Sequence, residues 1–257
     1  MGNTDEIPGI TIVTPTFNSA WCVRRCIESI RRQSYSAIRH LVIDGGSNDG
    51  TQKILEENGV QYISEPDVGI YHAMSKGIAL SSDSIVHILN ADDIYHRSDI
   101  VERVMAKMRN ESLDLCHGYV DQVSSNGRVV WRIGGDVDSS QLLKKMKVAH
   151  PSVFVRREVY ERYGAFSPCF KIAGDYDWLL RIWDRISIGF LPEVVVDMEL
   201  GGRSNSQIIR SNAECAAVRI LHGENIYKAV IQFNIEIIKG VIARGARKLG
   251  VDNIDNF

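Results

Sequence analysis

The chain has 257 residues, a formal net charge of −2, 44% hydrophobic and 24% charged residues, which suits one large or two small soluble domains with a sizeable core. The small negative charge disfavours nucleic acid as a partner, because a phosphate-tracking surface normally carries a basic excess. The five cysteines, Cys22, Cys26, Cys116, Cys169 and Cys215, include no CxxC pair, so reduced thiols and no metal-thiolate site are expected. The N-terminal stretch lacks the basic and apolar regions of a secretory signal, and Glu6 breaks the myristoylation pattern. No apolar run reaches the ~18 residues of a membrane span. A cytoplasmic protein is the expectation.

Ile10, Thr11, Ile12 and Val13 predict a strand over 10–14, closed by Pro15, with Asn18-Ser19 as the N-cap of the next segment. There Val23, Cys26, Ile27 and Ile30 recur at helical spacing, with Arg24, Arg25, Arg31 and Arg32 on the other side. A second strand is expected over 40–43, then the dense turn from Asp44 to Thr51 and a helix over 52–58. A third strand covers 60–64, and Ile70, Ala73, Met74, Gly77 and Ile78 mark a third helix. Val86, Ile88 and Leu89 form a fourth, buried strand that stops on Asn90-Ala91-Asp92-Asp93. This alternation predicts an α/β fold of βαβ units with right-handed crossovers and a mainly parallel sheet covered on both faces.

After Asp93 the rhythm changes. Residues 113–123 and 128–133 predict a β-hairpin, followed by helices around 157–163 and 175–185 and a strand over 188–198. A long helix over 226–248 carries Ile226, Val230, Phe233, Ile237 and Val241 on one stripe, with Ile231, Ile238 and Ile242 beside it. With no repeat or linker, one domain over 1–225 is expected, split into a nucleotide half over 8–95 and a second half over 96–225. A basic amphipathic helix and tail then occupy 226–257. Lys228, Lys239, Arg244, Arg247 and Lys248 outnumber the single acid Glu236, which allows peripheral contact of 226–250 with anionic lipid at the inner face of a membrane. Packing on the domain or in a homodimer is the alternative.

Ligands of open α/β sheets bind at the carboxyl ends of strands. There a hard cation such as Mg²⁺ or Mn²⁺ would relieve the repulsion between Asp92 and Asp93 while bridging to a diphosphate. The structural alternative is a polar turn or N-cap before a helix over 94–108. The loops after strands one, two and four converge, bringing together Thr14-Pro15-Thr16, Asp44 and Asp92-Asp93, and an acid ending the second strand is placed to hydrogen-bond a nucleoside. GxGxxG is absent from the first strand-helix turn and GxxxxGK[ST] from the chain, so dinucleotide and P-loop readings fall. An aspartyl-nucleophile phosphatase would need an acid where the chain has Thr-Pro-Thr.

Thr14-Pro15-Thr16-Phe17-Asn18, the segment from Val42 to Thr51, Glu65-Pro66-Asp67-Val68-Gly69-Ile70-Tyr71, Ala73-Met74-Ser75-Lys76-Gly77, Asn90-Ala91-Asp92-Asp93 and Ala173-Gly174-Asp175-Tyr176-Asp177-Trp178 all occur in this chain. In these motifs and their order, the chain resembles the family 2 glycosyltransferases over about residues 10–200. The similarity is closest to bacterial enzymes that build O-antigen, capsule or exopolysaccharide. The resemblance implies the GT-A fold, a Rossmann-like sheet flanked by helices, and an inverting, metal-dependent glycosyltransferase. Its donor would be a nucleotide-diphosphate sugar, a UDP-sugar by preference, and its acceptor a hydroxyl of a saccharide or lipid-linked saccharide.

Carried over by position, the resemblance makes Thr14, Pro15, Thr16 and Asp44 nucleotide contacts and Asp92 with Asp93 the metal-diphosphate motif for Mn²⁺ or Mg²⁺. Asp93 would be the direct ligand. Asp175 matches the catalytic base, although Gly174 stands where the family carries the first acid of a Glu-Asp pair, which leaves Asp177 as a second candidate. Without the family, Asp175 reads as a helix N-cap. Lys76 could meet the nucleotide or diphosphate, or be an ordinary exposed lysine. Arg203, in Gly201-Gly202-Arg203-Ser204, could offer a bidentate fork to the departing diphosphate. His150, between strands in the half over 96–225 that the resemblance makes the acceptor half, could touch the acceptor or satisfy a hydrogen bond in the core, and the structural role is the expectation. Two rival functions are a sugar-1-phosphate nucleotidyltransferase, which would need a Gly- and Arg/Lys-rich loop after the first strand, and a non-catalytic subunit that only binds the nucleotide sugar.

Overall fold

The computed structural model describes residues 8–124, 126–200 and 207–248, with side chains described through Gly240. The first half alternates β1 (Ile10–Thr16), α1 (Val23–Arg31), β2 (Ile38–Asp44), α2 (Thr51–Glu57), β3 (Gln61–Ser64), α3 (Ile70–Leu80) and β4 (Ile85–Ile88). These strands pair in parallel in the order β3-β2-β1-β4. β1 is buried along its whole length, and its alternation divides the core. Val13 packs with Leu41, Ile43, Met74 and Ile78 on one face, while Ile10 and Ile12 pack with Cys26 and Ile30 on the other. Each such fully buried aliphatic side chain contributes about 1.5–3 kcal/mol. Helix α3 lies so close to β1 that a Cβ at Gly77 would overlap Val13.

The second half extends the same sheet with β5 (Asp93–Tyr95), β6 (Leu115–Val123), β7 (Val129–Ile133), β8 (Phe154–Arg156) and β9 (Ile188–Glu199). The order continues β4-β8-β6-β9-β5, with β7 hairpinned on β6. β8 pairs antiparallel with β4 and β6, β5 antiparallel with β9, and β6 parallel with β9, so the parallel character belongs chiefly to the first half. Five helices accompany these strands: α4 (Ile100–Asn110), α5 (Ser139–Lys144), α6 (Arg157–Tyr163), α7 (Gly174–Ile182) and α8 (Ile208–Leu221). The helix anticipated over 94–108 starts only at Ile100, because Asp93, Ile94 and Tyr95 pair with Met198, Asp197 and Val196 instead. That pairing pins Asp93 in the sheet.

The last helix, α9 (Ile226–Lys248), has the expected span. Its packed side differs from the expected stripe: Ala229 is buried, whereas Ile226, Tyr227, Val230, Ile231, Ile235 and Ile238 are exposed. The helix rests on α8, where Ile208 meets the backbone at Gly240. The side chains of Val241, Ile242, Arg244, Arg247 and Lys248 lie outside the described residues. Among the described residues no helix is long and apolar enough to cross a membrane.

Candidate active site

The carboxyl ends of β1, β2 and β4 open into a cavity of ≈ 610 Å³. Pro15, Thr16, Gly45, Asn90, Asp92 and Asp93 line it from the sheet side, and His150, Ile172 and Asp175 from the second half. The loops after β1 and β2 are stitched together. Asn18 N–H donates to Ser47 Oγ (2.8 Å), Asn48 N–H to Asn18 Oδ1 (3.1 Å), and Ala20 N–H to Asp49 Oδ2 (3.0 Å). Asn18 holds a left-handed φ of 52°, which Asn tolerates better than most residues.

Asp93 is fully buried; one carboxylate oxygen accepts from Asn90 Nδ2 (2.8 Å), while Oδ1 has no partner. Desolvation, then the neighbouring charge of Asp92, raises its pKa well above the usual carboxylate range. Asp92 is also raised, chiefly by burial, with Glu199 pushing the same way and Arg25 opposing. A divalent cation would answer both effects. The donor set fits a hard ion: two carboxylates on consecutive residues, one with a buried and unpartnered oxygen, suit Mg²⁺ or Mn²⁺, which fill the rest of the shell with phosphate and water. Among the described residues no group of three or more His, Cys, Asp or Glu could hold a metal without such outside ligands.

Asp175 stands in the first turn of α7, where it accepts Tyr71 Oη–H (2.9 Å) and Tyr176 N–H (2.9 Å) at Oδ1. The N-cap position belongs to Ala173, so the capping role does not apply. Burial raises the Asp175 pKa to about 6 against the lowering effect of those hydrogen bonds. Tyr71 Oη also lies 2.5 Å from the Ile172 carbonyl. Its single proton must choose between the two acceptors, so an ionised Asp175 draws the hydroxyl away from Ile172. Gly174 has a steric reason: a Cβ there would come within 2.8 Å of the Tyr71 ring. Where the family carries its first acid, this chain has packed an aromatic ring whose hydroxyl reaches the second.

Several sequence-derived candidates are occupied elsewhere. Thr14 is fully buried and bonds His40 Nε2 (2.9 Å), facing the core rather than the cavity. The Asp44 carboxylate is buried under Ser47 N–H (3.0 Å), the Ser47 hydroxyl and Ser64 Oγ (2.6 Å), so it builds the β2-α2 loop instead of facing a nucleoside. Lys76 pairs with Glu65 outside the cavity lining. Asp177 is held by Arg181 (2.7 Å) and His222 (3.0 Å) and does not line the cavity. Arg203 lies outside the described residues. Pro15, Thr16, Asp92, Asp93 and Asp175 do line the cavity together.

Residues 11–164 match the glycosyl transferase family 2. The chain belongs to this family. It is 31% identical over 209 residues to a PGL/p-HBAD biosynthesis glycosyltransferase of Mycobacterium bovis, covering 77% of this chain and 80% of the relative. Glycosyltransferase AglE of Haloferax volcanii is 28% identical over 205 residues, covering 75% of this chain and 67% of AglE. Among solved structures, S. aureus TarS 1-349 in complex with UDP-GlcNAc superposes with a TM-score of 0.65 at 14% identity, covering 86% of this chain and 69% of that one. The mannosyltransferase PcManGT of Pyrobaculum calidifontis, in complex with GDP-Man and Mn²⁺, gives 0.64 at 18% identity, covering 94% and 76%. This chain spans 42% of the longer TarS chain. These likenesses show the GT-A fold.

Three residues of this family 2 glycosyltransferase escaped the sequence reading as site residues. Asp67, on the β3-α3 loop, lines the cavity over Gly45, beside Phe17. Tyr71 was visible only as part of a motif. Glu214 of α8 carries no motif at all, yet one of its oxygens accepts the N–H groups of Lys171 (2.9 Å), Ile172 (2.7 Å) and Ala173 (3.1 Å). Burial alone would raise its pKa, but those N–H groups and Arg210 hold it below the ordinary value. A single carboxylate thus fixes the turn that delivers Asp175.

Proposed function

We propose that this glycosyltransferase binds a nucleotide-diphosphate sugar in the 610 Å³ cavity and transfers the sugar, with inversion, to a hydroxyl of a saccharide or lipid-linked saccharide. One observation carries the reading. Thr16 Oγ1, Asn90 Oδ1, Asp93 Oδ1 and both ring nitrogens of His150 are buried without a partner, and all four residues line this cavity. An unmade hydrogen bond of a buried group costs roughly 1–3 kcal/mol, so such a concentration favours a site kept open for a polar ligand.

Asp92 and Asp93 would hold Mn²⁺ or Mg²⁺, which offsets diphosphate charge when bound. Asp67 and Thr16 would meet the nucleoside. Asp175 takes the proton of the acceptor hydroxyl as that oxygen bonds to the anomeric carbon; the bond from that carbon to the diphosphate oxygen breaks on the opposite side, and nucleoside diphosphate leaves. A base with a pKa near 6 is ionised at neutral pH yet still proton-seeking, which general-base catalysis requires. In a panel of UDP-, GDP- and dTDP-sugars with Mn²⁺, one nucleotide class is expected to stabilise the protein by about 2.7 kcal/mol at a hundredfold excess over Kd. That is on the order of 5–10 °C in Tm. No shift with any member would overturn the donor assignment.

The exposed Tyr227, Ile231, Ile235 and Ile238 of α9, with exposed Lys228 and Lys239, support peripheral contact with anionic lipid. Truncation before Ile226 is expected to release the protein from anionic vesicles while sparing donor hydrolysis by water. A full-length protein that never pellets with such vesicles at low salt would assign the helix to packing or dimerisation instead.

A further inference from the structure

His150 opens a 3-10 turn, His150–Ser152, on the wall of the cavity. It is only 5% exposed, and neither Nδ1 nor Nε2 has a partner, contrary to the core hydrogen bond expected from sequence. His87, equally buried, provides the contrast: its Nε2–H donates to the Pro151 carbonyl (2.8 Å) and its Nδ1 pairs with Tyr95 Oη (2.6 Å). Two orphan nitrogens on one buried ring cost stability that nothing in the apo protein returns.

The ring cannot easily turn away. Pro151, the next residue, is tied to β4 through His87, whose ring stacks on Phe154 with centroids 3.9 Å apart. On the other side Phe166 packs edge-to-face on His150 at 5.3 Å and against Tyr71 at 5.4 Å. His150 is therefore held from one side by the strand leading to Asp92 and Asp93 and from the other by Phe166, which packs in turn on the Tyr71 ring that bonds Asp175. The reacting sugar must lie between those two carboxylate groups.

We infer that His150 hydrogen-bonds a hydroxyl of the donor's pyranose ring and sets the selectivity for the transferred sugar. This rests on the reading of the cavity as a donor site. Burial lowers the imidazole pKa to about 4, so at neutral pH it presents one N–H donor and one acceptor. The two nitrogens point in divergent directions, so one of them meets a given sugar hydroxyl, which can give or take a hydrogen bond, whereas phosphate oxygens only accept and match the N–H alone. Asn90 Oδ1, another unpartnered acceptor on the same cavity, accepts a hydrogen bond from a further hydroxyl.

The test compares nucleoside diphosphate with its hexose ester, using the nucleotide that stabilises wild type best, in wild type and in His150→Phe, which keeps a ring against Phe166. Kd for the nucleotide hexose is expected to rise roughly 10- to 100-fold, about a tenfold step per 1.4 kcal/mol of lost hydrogen bonding. Kd for the diphosphate alone and KM for the acceptor should not move, and apo Tm should hold or rise because two unpaired polar atoms are gone. If His150→Phe does not fold, His150→Leu carries the same comparison. A nucleotide-hexose Kd equal to wild type, an equal loss for both ligands, or a change confined to acceptor KM would overturn the assignment while leaving the donor site intact. Failure of wild type to bind either ligand would instead remove the donor site itself.

Discussion

Asp175→Asn is expected to lower transfer by on the order of 10² to 10⁴ while donor affinity stays at the wild-type level, because a positioned general base is worth about that factor and an amide cannot take the acceptor's proton. Asn fills the same space and can still accept Tyr71 Oη–H and Tyr176 N–H. Stability also separates the roles. The folded-state pKa of about 6 lies above the ordinary 3.8 of an aspartate, so the carboxyl favours the fold below about pH 4 and that contribution is lost as pH rises through about 6. The variant should therefore be at least as stable as wild type at pH 7. In wild type, kcat/KM should fall about tenfold per pH unit below pH 6 and level off above it. The titratable groups facing Asp175 are Tyr71 from α3 and Cys215 from α8, both raised by burial and its charge, and neither ionises in that window. Near-normal turnover by the variant would remove Asp175 from the chemistry.

The second large effect is at Asp93. Asp93→Ala is expected to cost roughly 10³-fold or more in metal-dependent transfer, several kcal/mol of charge stabilisation, with apo Tm within a few degrees of wild type. The fold should tolerate the change because burial and Asp92 already oppose the Asp93 charge; only the Asn90 hydrogen bond is lost. Circular dichroism and thermal melting check the fold, and Mn²⁺ titration of donor turnover checks the function. Full turnover of wild type in excess EDTA would contradict the assignment.

The parts of this molecule written in local patterns were legible in the sequence. β1 to β4 and α1 to α3 follow from period-2 and period-3.6 apolar spacing, and Asp92-Asp93 stands out because two carboxylates close an apolar strand. The hairpin of β6 and β7 was equally plain, since its turn is local. What spacing could not show was where a side chain spends its hydrogen bonds. Thr14 and Asp44 occupy the right strand ends, but Thr14 turns inward to His40 and Asp44 is consumed by Ser47 and Ser64. β5 was missed because only three residues pair, and their partner strand lies about a hundred positions later. Glu214 was invisible for the same reason: its role is set by three backbone N–H groups some forty residues away, which no periodicity records. The Tyr71 ring occupies the space that a side chain at Gly174 would need, a contact no local pattern records.

The alternative of a subunit that binds nucleotide sugar without turning it over shares the whole donor site and differs only in chemistry. The decisive measurement supplies the best-stabilising nucleotide sugar with Mn²⁺ and a panel of saccharide and lipid-linked saccharide acceptors, follows release of nucleoside diphosphate, and reads the anomeric configuration of the product by NMR. The expected result is acceptor-dependent release with inverted configuration, lost in Asp175→Asn. A product of retained configuration, or tight donor binding with no release by wild type across the panel, would contradict it.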